Sequence, residues 1–296
     1  MRRIDTVARV RSLLPVPVPE WNYDYHFFDG TERSITYIFL LDALNFSFWG
    51  EPRWKIRWRG QTLDGYWALA AALKRAVLSH PDVLEADYLA DMSPLDLARI
   101  LRGEGEIPMF VERWRNVQEL GRVLRDRFGG QASNVVKAAG FAAPALARLV
   151  ADSLSSFHDT SIYDGREVRF FKRAQILAGD LRGSFGGKGW GKLTDIDALT
   201  SFADYKLPQI LRAWGIVNYS PALARLVDAR EPLSKDSPEE NEIRAAMLWS
   251  VEFLRLALAR HGQELNSVQM DWFLWESSQH LSASVKPYHR VRTVYY

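Results

Sequence analysis

Residues 237–258 read SPEENEIRAAMLWSVEFLRLAL, and this stretch decides the fold class. Ser237 followed by Pro238 and, three residues after the serine, Glu240 is a helix start signal. The serine hydroxyl accepts from a first-turn amide, proline's missing N–H costs nothing there, and an acid meets the positive end of the helix dipole. Ile243, Met247, Val251, Leu254 and Leu258 then recur at three- and four-residue steps, so a long amphipathic helix follows. Ser93-Pro94-Leu95-Asp96 carries the same start signal. Apolar periodicity predicts further helices at 31–44, 66–78, 111–127, 143–154, 170–181, 208–214 and 267–280. Strand signals are few: 54–58 alternates, 167–171 can pair briefly, and 291–296 is rich in β formers. The expectation is a mainly α fold with a small β element.

The 296 residues are 47% hydrophobic and 25% charged, enough apolar material for a sizeable core. No repeat, low-complexity tract or long linker divides them, and a single domain spanning 1–296 is expected. Thirty-eight basic residues against 36 acidic ones leave a net charge of +2, with no run of like charges. A nucleic-acid partner, which calls for a clustered basic face, is therefore not expected, while a small phosphorylated ligand stays open. The absence of cysteine excludes disulfides, thiolate metal sites and cysteine nucleophiles. The start, MRRIDTVARVRSLLP, scatters its charges and has no apolar core of signal-peptide type, and no run of 18 uncharged apolar residues follows. No membrane partner and a cytoplasmic location are the expectations; oligomeric state is left open.

Gly183-Ser184-Phe185-Gly186-Gly187-Lys188-Gly189-Trp190-Gly191 is a tightly turned or mobile loop. It is not a phosphate-binding P-loop, because Gly189 stands where that pattern requires Ser or Thr after the Gly-Lys pair. The six histidines have no HxH or HxxxH spacing, so no metal centre is expected.

A carboxylate on an apolar helix face is costly unless paired, which marks Asp42 as a site candidate or a buried ion pair. Asn45-Phe46-Ser47-Phe48-Trp49 follows it, a polar and aromatic mixture suited to stacking on a base as well as to core packing. Lys172 and Arg173 start the 170–181 helix, either as a phosphate-binding pair or as an ordinary solvated pair, with Arg173 and Asp180 on the side opposite Phe170, Ala174, Leu177 and Leu181. In Phe202-Ala203-Asp204-Tyr205-Lys206-Leu207-Pro208-Gln209, Pro208 should open a helix and leave Asp204 near its positive end between two rings. A plain helix cap is the competing reading there. His26, among Tyr23, Asp24, Tyr25, Phe27, Phe28 and Asp29, orients a ligand or is structural. His158-Asp159 ends a helix.

Six strings in order cover nearly the whole chain: Asn45 to Trp49, Asp64-Gly65-Tyr66-Trp67-Ala68-Leu69, Phe170-Phe171-Lys172-Arg173-Ala174-Gln175, Phe202 to Gln209, Asp271-Trp272-Phe273-Leu274-Trp275, and Pro287-Tyr288-His289-Arg290-Val291-Arg292-Thr293. Together they resemble the queuosine 5'-phosphate N-glycosylase/hydrolase family. The resemblance implies a helical fold similar to the helix-hairpin-helix DNA glycosylases. It implies release of queuine from queuosine 5'-monophosphate without a metal or other cofactor, with Asp204 as catalytic aspartate and Phe202 and Tyr205 as rings contacting the base. Substrate chemistry then asks for a carboxylate near the base's secondary amine, for which Asp42, Asp159 and Asp271 are the choices. It asks for cations near the phosphate, with Lys172, Arg173, Lys286 and Arg290 as the choices. A DNA or RNA base glycosylase and a non-catalytic queuine-binding protein are the alternatives.

Overall fold

The structure, a computed structural model, describes residues 13–296, so most of the N-terminal stretch 1–15 lies outside the described residues. In chain order the elements are α1 (Glu32–Ala43), β1 (Lys55–Trp58), β2 (Gln61–Asp64), α2 (Gly65–Ser79), α3 (Ala86–Ala90), α4 (Pro94–Ile100) and α5 (Phe110–Phe128). They continue with α6 (Ala132–Ala138), α7 (Ala143–Ser153), β3 (Thr160–Tyr163), β4 (Arg166–Arg169) and α8 (Lys172–Ser184). The chain ends through α9 (Lys206–Ala213), α10 (Pro221–Asp228), α11 (Pro238–Ala259) and α12 (Ser267–Gln279). The fold is mainly α, and among the described residues its sheet content is two antiparallel hairpins, β1–β2 and β3–β4. No helix among the described residues is long and apolar enough to cross a membrane.

The chain divides into two compact units built from discontinuous segments. The first holds described residues 13–20, Thr160–Lys172 and Ile196–Arg292; the second holds Trp21–Asp159, Arg173–Asp195 and Thr293–Tyr296. Within the first, α9, α11 and α12 enclose a core of Leu207, Ile210, Leu211, Met247, Val251, Leu254, Leu258, Met270 and Leu274. Ser237 caps α11 by accepting from the Glu240 amide, and Ser93 and Asp96 form the reciprocal capping box of α4, as the start signals require.

Within the second unit α1 is buried on every side from Ser34 to Ala43. The sequence suggested one apolar face; the helix is instead buried all round, because Tyr37, Leu40 and Leu41 cover the sides that Ile35, Ile38 and Phe39 leave. Gly121 in α5 lets that helix meet α3 at backbone distance: a Cβ there would lie 2.1 Å from the Ala90 amide nitrogen and 2.7 Å from the Ala86 carbonyl oxygen.

Two boundaries depart from expectation. The 170–181 helix starts at Lys172, because Phe171 sits in the left-handed region at φ +46 between β4 and α8. The β-rich end 291–296 forms no strand. A strand needs an edge to pair with, and here the Thr293 and Tyr296 carbonyls accept instead from the Ser47 hydroxyl, at 2.9 and 3.2 Å, and the Tyr296 carbonyl also from the Ser47 amide at 3.0 Å.

Gly121→Ala sets helix propensity, about 1 kcal/mol in favour of alanine, against overpacking of about 1–3 kcal/mol or more. The obstructing atoms are main-chain atoms that cannot rotate away. Net destabilisation is therefore expected, read as a lower midpoint in urea unfolding.

Candidate active site

Two buried polar clusters form, one in each unit. In the first unit the segment before α9 brings Phe202 and Asp204 into the interior, at 3% and 6% exposure. The α9 helix begins at Lys206, two residues before Pro208, and Asp204 Oδ1 accepts from the amides of Lys206 at 2.9 Å and Leu207 at 2.8 Å. Asp204 thus does cap the helix, through one oxygen. Its other oxygen makes no hydrogen bond among the described residues, which leaves that oxygen for chemistry.

Asp271, from α12, accepts from the Phe202 amide at 2.6 Å. Burial, and then the charge of Asp204, push the Asp271 carboxyl well above the usual carboxylate range, against the pull of the Phe202 amide and Lys172. Asp204 is also raised by burial, but Lys172, the Leu207 and Lys206 amides and the Lys206 charge oppose the rise. The first proton lost from the pair therefore leaves the charge on Asp204, with Asp271 keeping its proton. Lys172 is buried and belongs to this cluster, so the reading of it as a solvated residue is overturned.

Arg244 was not foreseen. It lies buried on α11 with Glu240, its Nη1 4.0 Å from the Glu240 Oε1, and its Nε donates to the Ala203 carbonyl at 3.2 Å. Its guanidinium carbon stands 3.9 Å from the centre of the Phe170 ring. The sequence did hold a signal: Glu240 and Arg244 fall in register with Ile243, Met247 and Val251, on the core side of the helix. His289 is buried near Arg244, and burial followed by that charge lowers its pKa to about 3, so it is neutral. Tyr205 is half-buried with its ring 4.8 Å from that of Tyr288, and Lys286 pairs with Asp228 at 2.9 Å.

The second unit gathers Asp42, Asp159, Asp180, Arg173, Tyr66 and His26, all but Tyr66 at 4% exposure or less. Arg173 departs from both sequence readings. Its Nη1 donates to the Asp42 and Ala43 carbonyls, each at 2.7 Å, and its Nη2 to the Ser156 carbonyl. Burial lowers its pKa to about 10, opposed first by Asp42 and then by Asp159 and Glu119. Its two Nη groups thus end on main-chain oxygens, its Nε has no partner among the described residues, and at 1% exposure it is no open phosphate ligand. Asp180, expected on an outer side of α8, is buried as well, because the second unit surrounds that helix.

Phe46 likewise packs against arginines, with the Arg113 and Arg173 guanidinium carbons 4.2 and 5.1 Å from its ring centre, so its π surface is used within the protein. Asn45 stands 3.5 Å from Asp42 Oδ1, and Trp49 is buried at 6%. His26 donates from Nδ1 to the Asn22 carbonyl at 2.7 Å, so its Nε2 accepts from the Tyr66 hydroxyl at 2.9 Å. Stacked 4.1 Å from Trp21 and lowered by burial to about 4, it is a neutral orienting group for Tyr66. Burial, Asp180 and Asp42 hold the Tyr66 phenol well above its ordinary pKa, and it stays protonated.

A raised native pKa means stability that is present at acid pH and lost as pH climbs through the native value. Asp271→Asn keeps the oxygen that accepts from Phe202 and removes the titration. The variant is expected to melt above the parent at pH 8, with the gap shrinking toward pH 4, in calorimetric scans across that range.

The family model described as queuosine salvage protein matches residues 25–296. Three proteins named queuosine 5'-phosphate N-glycosylase/hydrolase align along most of their length. The one from Sphaerobacter thermophilus is 48% identical over 295 residues, covering 99% of this chain and 91% of the relative. The mouse protein is 37% identical, covering 90% and 82%, and the Schizosaccharomyces pombe protein 31%, covering 94% and 87%. A match over this length, with all six sequence strings inside residues 25–296, makes this chain a member of the queuosine salvage protein family.

Proposed function

We propose that this chain is an N-glycosidase that adds water across the ribose–base bond of queuosine 5'-monophosphate, releasing queuine and ribose 5-phosphate for salvage of the base into tRNA modification. The observation that carries the reading is the buried Asp204–Asp271 pair, in which Lys172 and two amides oppose the rise that burial imposes on Asp204, while the Asp204 charge adds to the rise of Asp271. Cleavage of a C–N glycosidic bond passes through an oxocarbenium-like cation. Asp204 stabilises that cation, or positions the water that traps it, with its second oxygen. The 7-deaza base has no ring nitrogen at position 7 to take a proton, so departure is assisted at another atom. Lys172 supports the ionised state of Asp204 and is a cation for the 5'-phosphate.

Incubation with queuosine 5'-monophosphate and with queuosine, followed by chromatography for free queuine, tests the reading. Release from neither compound refutes it. Asp204→Asn retains an oxygen for the Lys206 and Leu207 amides, so folding should survive. Turnover should fall at least about a hundredfold, the scale of losing a charge-stabilising group. Near-normal turnover by that variant would remove Asp204 from the chemistry.

Lys172→Met takes away the charge that lowers the Asp204 pKa. The Asp204 carboxyl then ionises at higher pH, and the acidic limb of kcat/KM is expected to move up in a pH–rate profile. An unmoved limb with only a raised KM would confine Lys172 to binding.

A further inference from the structure

Helix α11 leaves one row of residues in water. From Asn241 to its C-cap the exposed positions are Glu242, Ala246, Trp249, Phe253, Leu256 and Arg260. Trp249, Phe253 and Leu256 are 64%, 62% and 46% exposed, and the two rings lie 5.9 Å apart with their planes inclined by 30°. Single exposed apolar residues are ordinary, but three contiguous large ones along a helix mark an interaction surface. The steps along the row are four, three, four, three and four residues, the spacing of a helix-pairing seam.

The chemistry of the row is symmetric about Val251. Glu242 and Arg260, Ala246 and Leu256, and Trp249 and Phe253 are each equidistant from that residue. Laid antiparallel on a second copy of itself, with the two-fold axis at Val251, the row pairs Trp249 with Phe253, the small Ala246 with the large Leu256, and Glu242 with Arg260, each twice over. A parallel pairing in register would set Glu242 on Glu242 and Arg260 on Arg260. Tyr163 already fixes one end, donating to the Glu242 carboxylate at 2.7 Å. A membrane-docking helix would instead flank its apolar row with basic residues, whereas this row has both signs beside it, Glu239, Glu242 and Glu252 with Arg255 and Arg260, and Arg255 is already paired with Glu252 at 3.0 Å.

We propose that this chain forms a two-fold symmetric dimer by antiparallel packing of α11 on α11 of a second copy. The contact is isologous, so it closes at two subunits and leaves no free end for further growth. One pair of helices gives a small interface, and the dimer exchanges with monomer at micromolar concentration.

Sedimentation velocity from low to high micromolar concentration tests it. The expected result is a mass that rises from the 33.9 kDa of one chain toward twice that value. Trp249→Glu combined with Phe253→Ser should stay monomeric, with unchanged circular dichroism because both side chains stand in water. Glu242→Arg should weaken the dimer severalfold, and adding Arg260→Glu should restore it. A monomer at every concentration overturns the proposal, including one whose apolar row cosediments with anionic vesicles. A dimer indifferent to Trp249 and Phe253 overturns it too, and failure of the charge swap to restore association overturns the antiparallel pairing.

Discussion

Buried guanidinium groups held by main-chain carbonyls organise both polar clusters. An α-helix ends with carbonyls that lack intrahelical partners, and at the buried C-terminus of α1 no water is at hand to satisfy them. Arg173 takes the carbonyls of Asp42 and Ala43, Asn116 also takes that of Ala43, and Arg113 takes those of Leu44, Phe46 and Ser47. In the first unit Arg244 does the same for Ala203, directly before Asp204. Arginine cannot shed its charge at neutral pH, so each site must carry compensating oxygen. Removing such a partner costs about 3–5 kcal/mol, because the charge left behind is buried. The backbone that follows Asp42 and that which precedes Asp204 are therefore set by arginines contributed from other helices.

Helix starts were legible because their signals are local. Ser93 and Ser237 accept from amides three residues away, and nothing distant changes that geometry. The start of α8 was not legible. Phe170 and Phe171 continue the apolar period of the helix, yet Phe171 holds a left-handed backbone that no short-range preference of phenylalanine favours. Tertiary contacts choose it: Phe170 lies under the Arg244 guanidinium, which belongs to a helix some seventy residues later. The chain end shows the same limit from the other side. Its β-forming composition is real, but residues 293–296 satisfy their carbonyls on Ser47, and a strand's worth of propensity without a paired edge makes no strand.

At the candidate site the acidic residues were legible and their cationic partners were misjudged. Asp204 stood out through Pro208 and its flanking rings, and Asp42 through an apolar helix register that only a buried carboxylate explains. Lys172 and Arg173 share one dipeptide, and spacing alone reads such a pair as solvated. The structure buries both and separates their tasks: the Nη groups of Arg173 hold carbonyls, while Lys172 acts on the Asp204–Asp271 pair. Phe46 was left between stacking on a base and core packing for a related reason. An aromatic residue beside polar ones suits a ligand or a cation equally, and only the fold shows that Arg113 and Arg173 occupy its ring.

Two carboxyl groups in one buried cluster cannot both ionise without a large cost, so their proton affinities separate. Which of the two takes the charge follows from the donors around each. Asp204 has two amides and two lysine charges acting on it; Asp271 has one amide, Lys172, and the charge of Asp204 against it. The single negative charge therefore settles on Asp204. Both amides reach it through Oδ1, which fixes the plane of the carboxylate and leaves the second oxygen without a donor to satisfy it. A charge that is buried, oriented and incompletely solvated by the protein interacts strongly with a cation formed beside it, and no dipole has to reorganise when that cation appears. On the reading proposed for this chain, the cost of burying Asp204 is met by the fold in advance, and it is returned as stabilisation when the sugar ring acquires its positive charge.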